Sequence, residues 1–250
     1  MIKNSGTIVY SPSDLTLHMS SPFASWMARF ALERPDELPD KDEHDELMDL
    51  LQQRGYAHED AVEVQFKNDG KTVRRIDGAS QKEKRVLTLQ AMEDGIDVIV
   101  QGLLERAPFA GYPDFLVKKC GSSVFGDYFY EVWDAKLSRS PKISFMIQLC
   151  CYAEMLESVQ GVLPPQIVIF LGSGELSINR TNDYFAYYKN LQSAFLDAQE
   201  RFDANSRPDP FQSKNWGAWS GFAQKLLVER DHLSRIAGIT RSQIKKLNHK

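Results

Sequence analysis

Asp114, the triplet Asp134-Ala135-Lys136, and the pair Gln148 and Tyr152 are the residues of this chain whose types and spacing could do chemistry. Asp134 stands twenty residues after Asp114, and Gln148 twelve after Lys136. The first acid interrupts a short apolar run from Gly111 to Lys118, and the second lies in Tyr128–Leu137, YFYEVWDAKL. A carboxylate buried among Phe, Val, Trp and Leu is unfavourable unless a partner charge offsets its lost hydration, and a divalent cation is a common partner. Side chains alternate along a strand, so Asp134 and Lys136 share one face while Ala135 points to the other. Gln148 and Tyr152 are four apart on a helix beginning near Lys142 and share a helical face. Taken alone, D-x-K is also what a hairpin with surface acids and a solvated lysine would show.

The elements that must position these groups are legible in outline. The two β-rich runs, separated by a Gly/Ser/Asp turn at 121–127, read as a hairpin. Upstream, Ile96–Leu104 reads as a strand pairing with Ala110–Val117, and Thr72–Ile76 as a short edge strand. Helix 142–157 is apolar almost all round and should be buried, and Gln166–Gly172 reads as an interior strand. Residues 86–94 form a helix stopped by Gly95, and 183–203 a long amphipathic helix whose Tyr184, Phe185, Tyr187 and Tyr188 suit core packing better than base stacking.

Towards the N-terminus, Ser11-Pro12-Ser13-Asp14-Leu15 is a helix start. Leu15, Met19, Phe23, Trp26, Met27 and Phe30 then line a helical pair broken near Pro22, and 31–42 is a polar connection. From His44 to Phe66 the helical pattern returns, with Leu47, Leu50, Leu51, Tyr56, Val62 and Val64 as its apolar residues and Glu59 on its solvated face. Residues 204–222 are irregular, and 231–247 form a small helix–turn–helix-like unit around Gly238. The expected class is α/β: a mixed sheet of four or five strands flanked by helices.

Gly111-x-x-Asp114-x-Leu116, then Asp134-Ala-Lys136, then Gln148-x-x-x-Tyr152 resembles the PD-(D/E)xK superfamily, specifically its RecB-like nuclease branch. The N-terminal SPSDL and the segment DHLSRIAGITRSQIKKL at 231–247 are similar to those of large nuclease–helicase fusion proteins, and the start is also similar to CRISPR-associated adaptation nucleases. The resemblance spans about 5–250. It implies a restriction-endonuclease-like core at 67–203, an N-terminal helical part at 1–66 and a helical segment at 231–250 leading into further domains. It implies a metal-dependent DNA nuclease, an exonuclease on single-stranded or unwound DNA, working with a helicase in repair or recombination. His58, in Gly55-x-x-His58, would join Asp114, Asp134 and the Ala135 carbonyl in holding Mg2+ or Mn2+. Lys136 would position the attacking water, and Gln148 and Tyr152 would orient the site. Relatives of this type hold an iron–sulfur cluster. This chain has Met19-Ser20-Ser21-Pro22 and Trp216, Trp219 and Ser220 where their cysteines fall, so no cluster is expected. Aromatic packing of Trp26, Trp216 and Trp219 is expected to join the N- and C-terminal parts instead.

Composition sets the outer bounds. At 250 residues, 42% hydrophobic and 26% charged, the chain can bury a full core. A net charge of −4 argues against a passive nucleic-acid-binding module and only weakly against a nuclease, whose centre is acidic. Lys67, Lys71, Arg74, Arg75, Lys82, Lys84 and Arg85 form the clearest basic stretch, read equally as solvated charge or as a track for a DNA backbone. Cys120, Cys150 and Cys151 have no zinc-like spacing, which favours a reducing, cytoplasmic setting. No apolar run is long enough to span a bilayer. Two rival readings stay open: a nuclease-fold domain that binds DNA or scaffolds a helicase without cutting, and a metal-independent interaction domain. The apolar Ile236, Ile239, Ile244 and Leu247 are expected to serve a longer machine.

Overall fold

The computed structural model describes every residue except Ser5, His44, Asp45, Lys214, His249 and Lys250. In chain order the elements are β1 (Ile2–Asn4), β2 (Thr7–Val9), α1 (Pro12–Ser20), α2 (Pro22–Glu33), α3 (Glu46–Asn68), β3 (Val73–Arg75), α4 (Gln81–Glu93), β4 (Val98–Val100), β5 (Leu104–Arg106) and β6 (Phe109–Gly111). Then come β7 (Phe115–Ser123), β8 (Gly126–Lys136), α5 (Ile143–Gln160), β9 (Gln166–Leu171), β10 (Leu176–Arg180), α6 (Asn182–Glu200), α7 (Ser220–Glu229) and α8 (Arg241–Asn248). The chain divides into a sheet unit, 2–15 with 45–193, and a helical unit, Met1 and 16–44 with 194–250. This partition differs from the expected boundaries: 45–66 belong with the sheet, and 231–250 belong with the helical residues. His44 and Asp45, where the helix was expected to begin, and the last two residues of 231–250 lie outside the described residues.

The sheet has six strands in the order β10-β9-β8-β7-β4-β3. The β7–β8 hairpin is its centre, in register Phe115↔Trp133 and Val117↔Glu131, with an irregularity between Cys120 and Ser123. Its turn is tighter than 121–127, because the Ser123 hydroxyl accepts from the Phe125 N–H at 3.0 Å and donates to the Tyr128 carbonyl, replacing ladder bonds. A crossover through α5 returns the chain to β9, parallel to β8. The strand β10 was not foreseen; its side chains alternate between exposed and half-buried at the sheet edge, which leaves a weak apolar signal.

Ile96–Leu104 is not one strand. It breaks after Val100, where Gln101 takes a left-handed φ of 54°, and β5 leaves to pair with β6. Thr88 fixes this exit by accepting the Leu103 N–H on its hydroxyl at 2.9 Å.

Both faces of the central strands are covered. Val62 and Phe66 of α3 cover Val100, Phe115, Trp133 and Phe170. On the other face Ile99, Leu116, Val132 and Ile167 are fully buried, and α5 packs against β8 and β9. Only the C-terminal half of α3 carries that contact. Leu47, Leu50, Leu51, Tyr56 and Val64, expected as its apolar stripe, are exposed.

In the helical unit Phe23, Trp26, Met27 and Phe30 of α2 form one cluster with Trp219, Ala223 and Leu226, against which Trp216 and Phe202 pack. Trp26 stacks on Phe30 with ring centroids 4.8 Å apart. Asp42 caps α7, accepting the N–H groups of Ser220 at 2.7 Å and Gly221 at 2.8 Å. No helix pair forms at 231–247: a 3-10 turn at Leu233–Arg235 precedes the single helix α8. Thr240 and Gln243 cap α8 reciprocally. Ile244 is buried, whereas Ile236 and Leu247 stay exposed.

Candidate metal centre

The hairpin register positions the two acids. Asp114 immediately precedes Phe115, whose partner is Trp133, so Asp114 meets Asp134 across the ladder. Phe115 and Trp133 face α3, and alternation turns both aspartates to the opposite face. They are 9% and 2% exposed. Asp114 accepts the Ala135 backbone N–H at 2.8 Å on one oxygen and the Gln101 amide at 3.4 Å on the other. Burial first, and the neighbouring Asp134 second, push its carboxyl well above the usual range.

Lys136 closes the group, with Nζ 2.6 Å from Asp134 Oδ2. That oxygen is buried, and the Lys136 ammonium is its close partner. Burial pulls the Lys136 pKa down, but Asp134 and Asp114 outweigh it and the net shift is upward. The ammonium therefore remains charged.

Helix α5 supplies Tyr152, whose hydroxyl donates to the Tyr112 carbonyl at 3.1 Å. Burial, then Asp134 and Asp114, hold that hydroxyl protonated. Gln148, half-buried, neighbours it. Gly111 has a steric reason: a Cβ there would lie 3.0 Å from the Tyr152 ring and hydroxyl. The structure thus brings Asp114, Asp134, Lys136, Gln148 and Tyr152 together.

His58 is held on α3 with Nε2 3.3 Å from the Phe170 carbonyl. Phe170 is the register partner of Ala135, so the imidazole sits by the same rung. Among the described residues no three His, Cys, Asp or Glu side chains meet as a ready-made metal cage. Two further residues belong to the site. Glu59 is half-buried rather than solvated, and its carboxyl is raised by burial and then by Asp134. Gln101 ties it in, its amide reaching Glu59 at 3.2 Å as well as Asp114. The Gln-Gly step inside an apolar run was the signal available for Gln101; Glu59 had only its position beside His58.

The basic stretch is largely engaged. Lys67 pairs with Glu63 at 2.6 Å, Arg75 with Glu63 and with Asp60 at 3.1 Å, Arg74 with Asp94 at 2.6 Å, and Arg85 with Glu105. Lys84 lies over the Tyr112 ring, 4.9 Å from its centroid.

Two buried carboxylates side by side, one facing the Lys136 ammonium and the other held towards protonation, fit a divalent cation: oxygen donors with one imidazole suit Mg2+ or Mn2+. Cys150 and Cys151 are buried with thiols pushed up to about 12, and Cys120 is exposed. Among the described residues no helix is long and apolar enough to cross a membrane. Neither protein-family models nor curated proteins give a match to this chain.

Proposed function

We propose that the sheet unit is a metal-dependent nuclease of the RecB-like PD-(D/E)xK type, hydrolysing phosphodiester bonds of single-stranded or unwound DNA and working with a helicase in repair or recombination. The observation that supports this reading is the buried Asp114–Asp134–Lys136 group, two neighbouring carboxylates with one ammonium against them. Asp114, Asp134, the Ala135 carbonyl and His58 would hold Mg2+ or Mn2+. When bound, the ion would polarise the scissile phosphate and lower the pKa of the attacking water.

The chain's own residues do the rest. The Lys136 ammonium offsets negative charge on the phosphate and orients the water. Tyr152, kept protonated, anchors the α5 side through Tyr112, and Gln148 beside it presents its amide to the backbone of the strand. Glu59 and Gln101 fix Asp114 from the opposite side. Labelled single- and double-stranded DNA incubated with the chain and Mn2+ tests the proposal. Cleavage lost in Asp134→Ala supports it, and no cleavage by the unaltered chain defeats it.

A second reading, a nuclease-fold domain that binds DNA without cutting, is favoured by one observation: His58 is engaged with the Phe170 carbonyl. Calorimetric titration separates the two. Mn2+ binding with cleavage supports the first, and DNA binding with neither supports the second.

A further inference from the structure

The helical unit carries a cleft of its own, of about 530 Å³, whose lining includes Trp26, Phe30, Phe222, Glu37, Arg207 and Arg230. The Arg207 guanidinium lies 5.1 Å from the centre of the Phe222 ring. A ring contact supplies no oxygen acceptor for its N–H donors. Among the described residues Arg207 has no hydrogen-bond acceptor and no ion-pair partner. Glu37, which also lines the cleft, pairs with Arg34 at 2.6 Å, and Glu229 lies 4.0 Å from Lys225. Burial and the charge of Arg230 both lower the Arg207 pKa, and Glu229 offsets them only in part.

Two guanidinium groups beside an aromatic wall repel each other, and Arg207 is partly withdrawn from water as well. An anion in the cleft removes both costs. A guanidinium fork matches two oxygens of one phosphate, and the apolar wall suits a flat ring or a sugar. We propose that this cleft binds a nucleotide, its phosphate held by Arg207 and Arg230 and its base or sugar packed along Phe222. The assignment does not rest on the hydrolytic reading of the sheet unit.

The nucleotide has two sources, a free monophosphate or one unit of a nucleic-acid strand. Both are measured on the whole chain in EDTA, which prevents cleavage: thymidine monophosphate by calorimetry and a fluorescein-labelled oligothymidylate by anisotropy. Arg207→Glu and Arg230→Gln are each expected to weaken binding at least about tenfold, the loss of one charge-assisted contact. For the strand, each is expected to reduce the salt slope by about 0.7. Arg207→Lys keeps the charge without the fork and should fall between. Arg230 is exposed, so its replacement does not test folding. An effect on the strand alone assigns a nucleic acid, and an effect on the monophosphate alone assigns a free nucleotide. Binding of neither probe, or unchanged affinity in both arginine variants, overturns the proposal.

Discussion

Ala135 donates its backbone N–H to Asp114 Oδ2 at 2.8 Å, so the middle residue of the D-A-K triplet holds the acid of the other strand. The ladder itself thereby sets the spacing of Asp114 and Asp134. Asp134 lies within β8, and Asp114, immediately before β7, is tied to that strand by the Ala135 N–H, a rigidity that a metal-holding pair needs.

Asp114→Asn should abolish Mn2+-dependent cleavage without loss of stability. Its carboxyl binds a proton more tightly folded than unfolded, because burial and Asp134 raise it. Folding stability from this group therefore falls as pH rises from the unfolded value, about 4, through the raised folded value. Urea denaturation from acid to neutral pH should show that fall in the unaltered chain and a smaller one in Asp114→Asn. Equal pH profiles would contradict the burial argument.

Lys136→Ala should retain Mn2+ affinity within a few-fold and lose turnover. It removes one partner of a buried pair, so it should also cost about 3 kcal/mol of stability. Calorimetry and thermal melting check the two halves separately. A loss of Mn2+ affinity as large as that of Asp134→Ala would reassign the lysine.

Gln101→Gly tests the residue that only the structure exposed. Glycine accepts the φ of 54° without the steric cost that glutamine bears, so stability should hold or rise. The amide that links Glu59 to Asp114 is lost, and Mn2+ affinity should drop about tenfold, as for other groups that orient ligands. Unchanged affinity would make Gln101 a turn residue only.

Asp97 should govern acid sensitivity at the β3–β4 edge. It accepts from the Thr72 N–H at 2.9 Å and hydroxyl at 2.8 Å, and lies 3.0 Å from Lys118. Burial opposes these partners but they prevail, holding the carboxyl at about 2. Its contribution is present above the unfolded value and lost as pH falls from about 4 to about 2. Asp97→Asn should lower stability at neutral pH by about 1 kcal/mol, allowing for solvent screening, and flatten the curve over that window.

How far the sequence reaches depends on what is encoded locally. Alternation in Tyr128–Lys136 was enough to place Asp134 and Lys136 on one face, and the all-round apolar α5 and the uninterrupted β9 announced burial, because each pattern follows from the period of its own element. The three tryptophans meet in one helical cluster as expected, the large aromatic faces having few other places to be buried. Tertiary structure decided the rest. Gln101 enters the site because the chain turns out of the sheet there to pair β5 with β6, a choice set by partners outside β4. Glu59 and the exposed Leu47, Leu50 and Leu51 share one cause: how far α3 extends beyond the sheet, which no helical period states. The basic residues at 67–85 looked available as a row of charges. Their acids come from α3, the residue that ends α4, and β5, and only folding sets those carboxylates beside them.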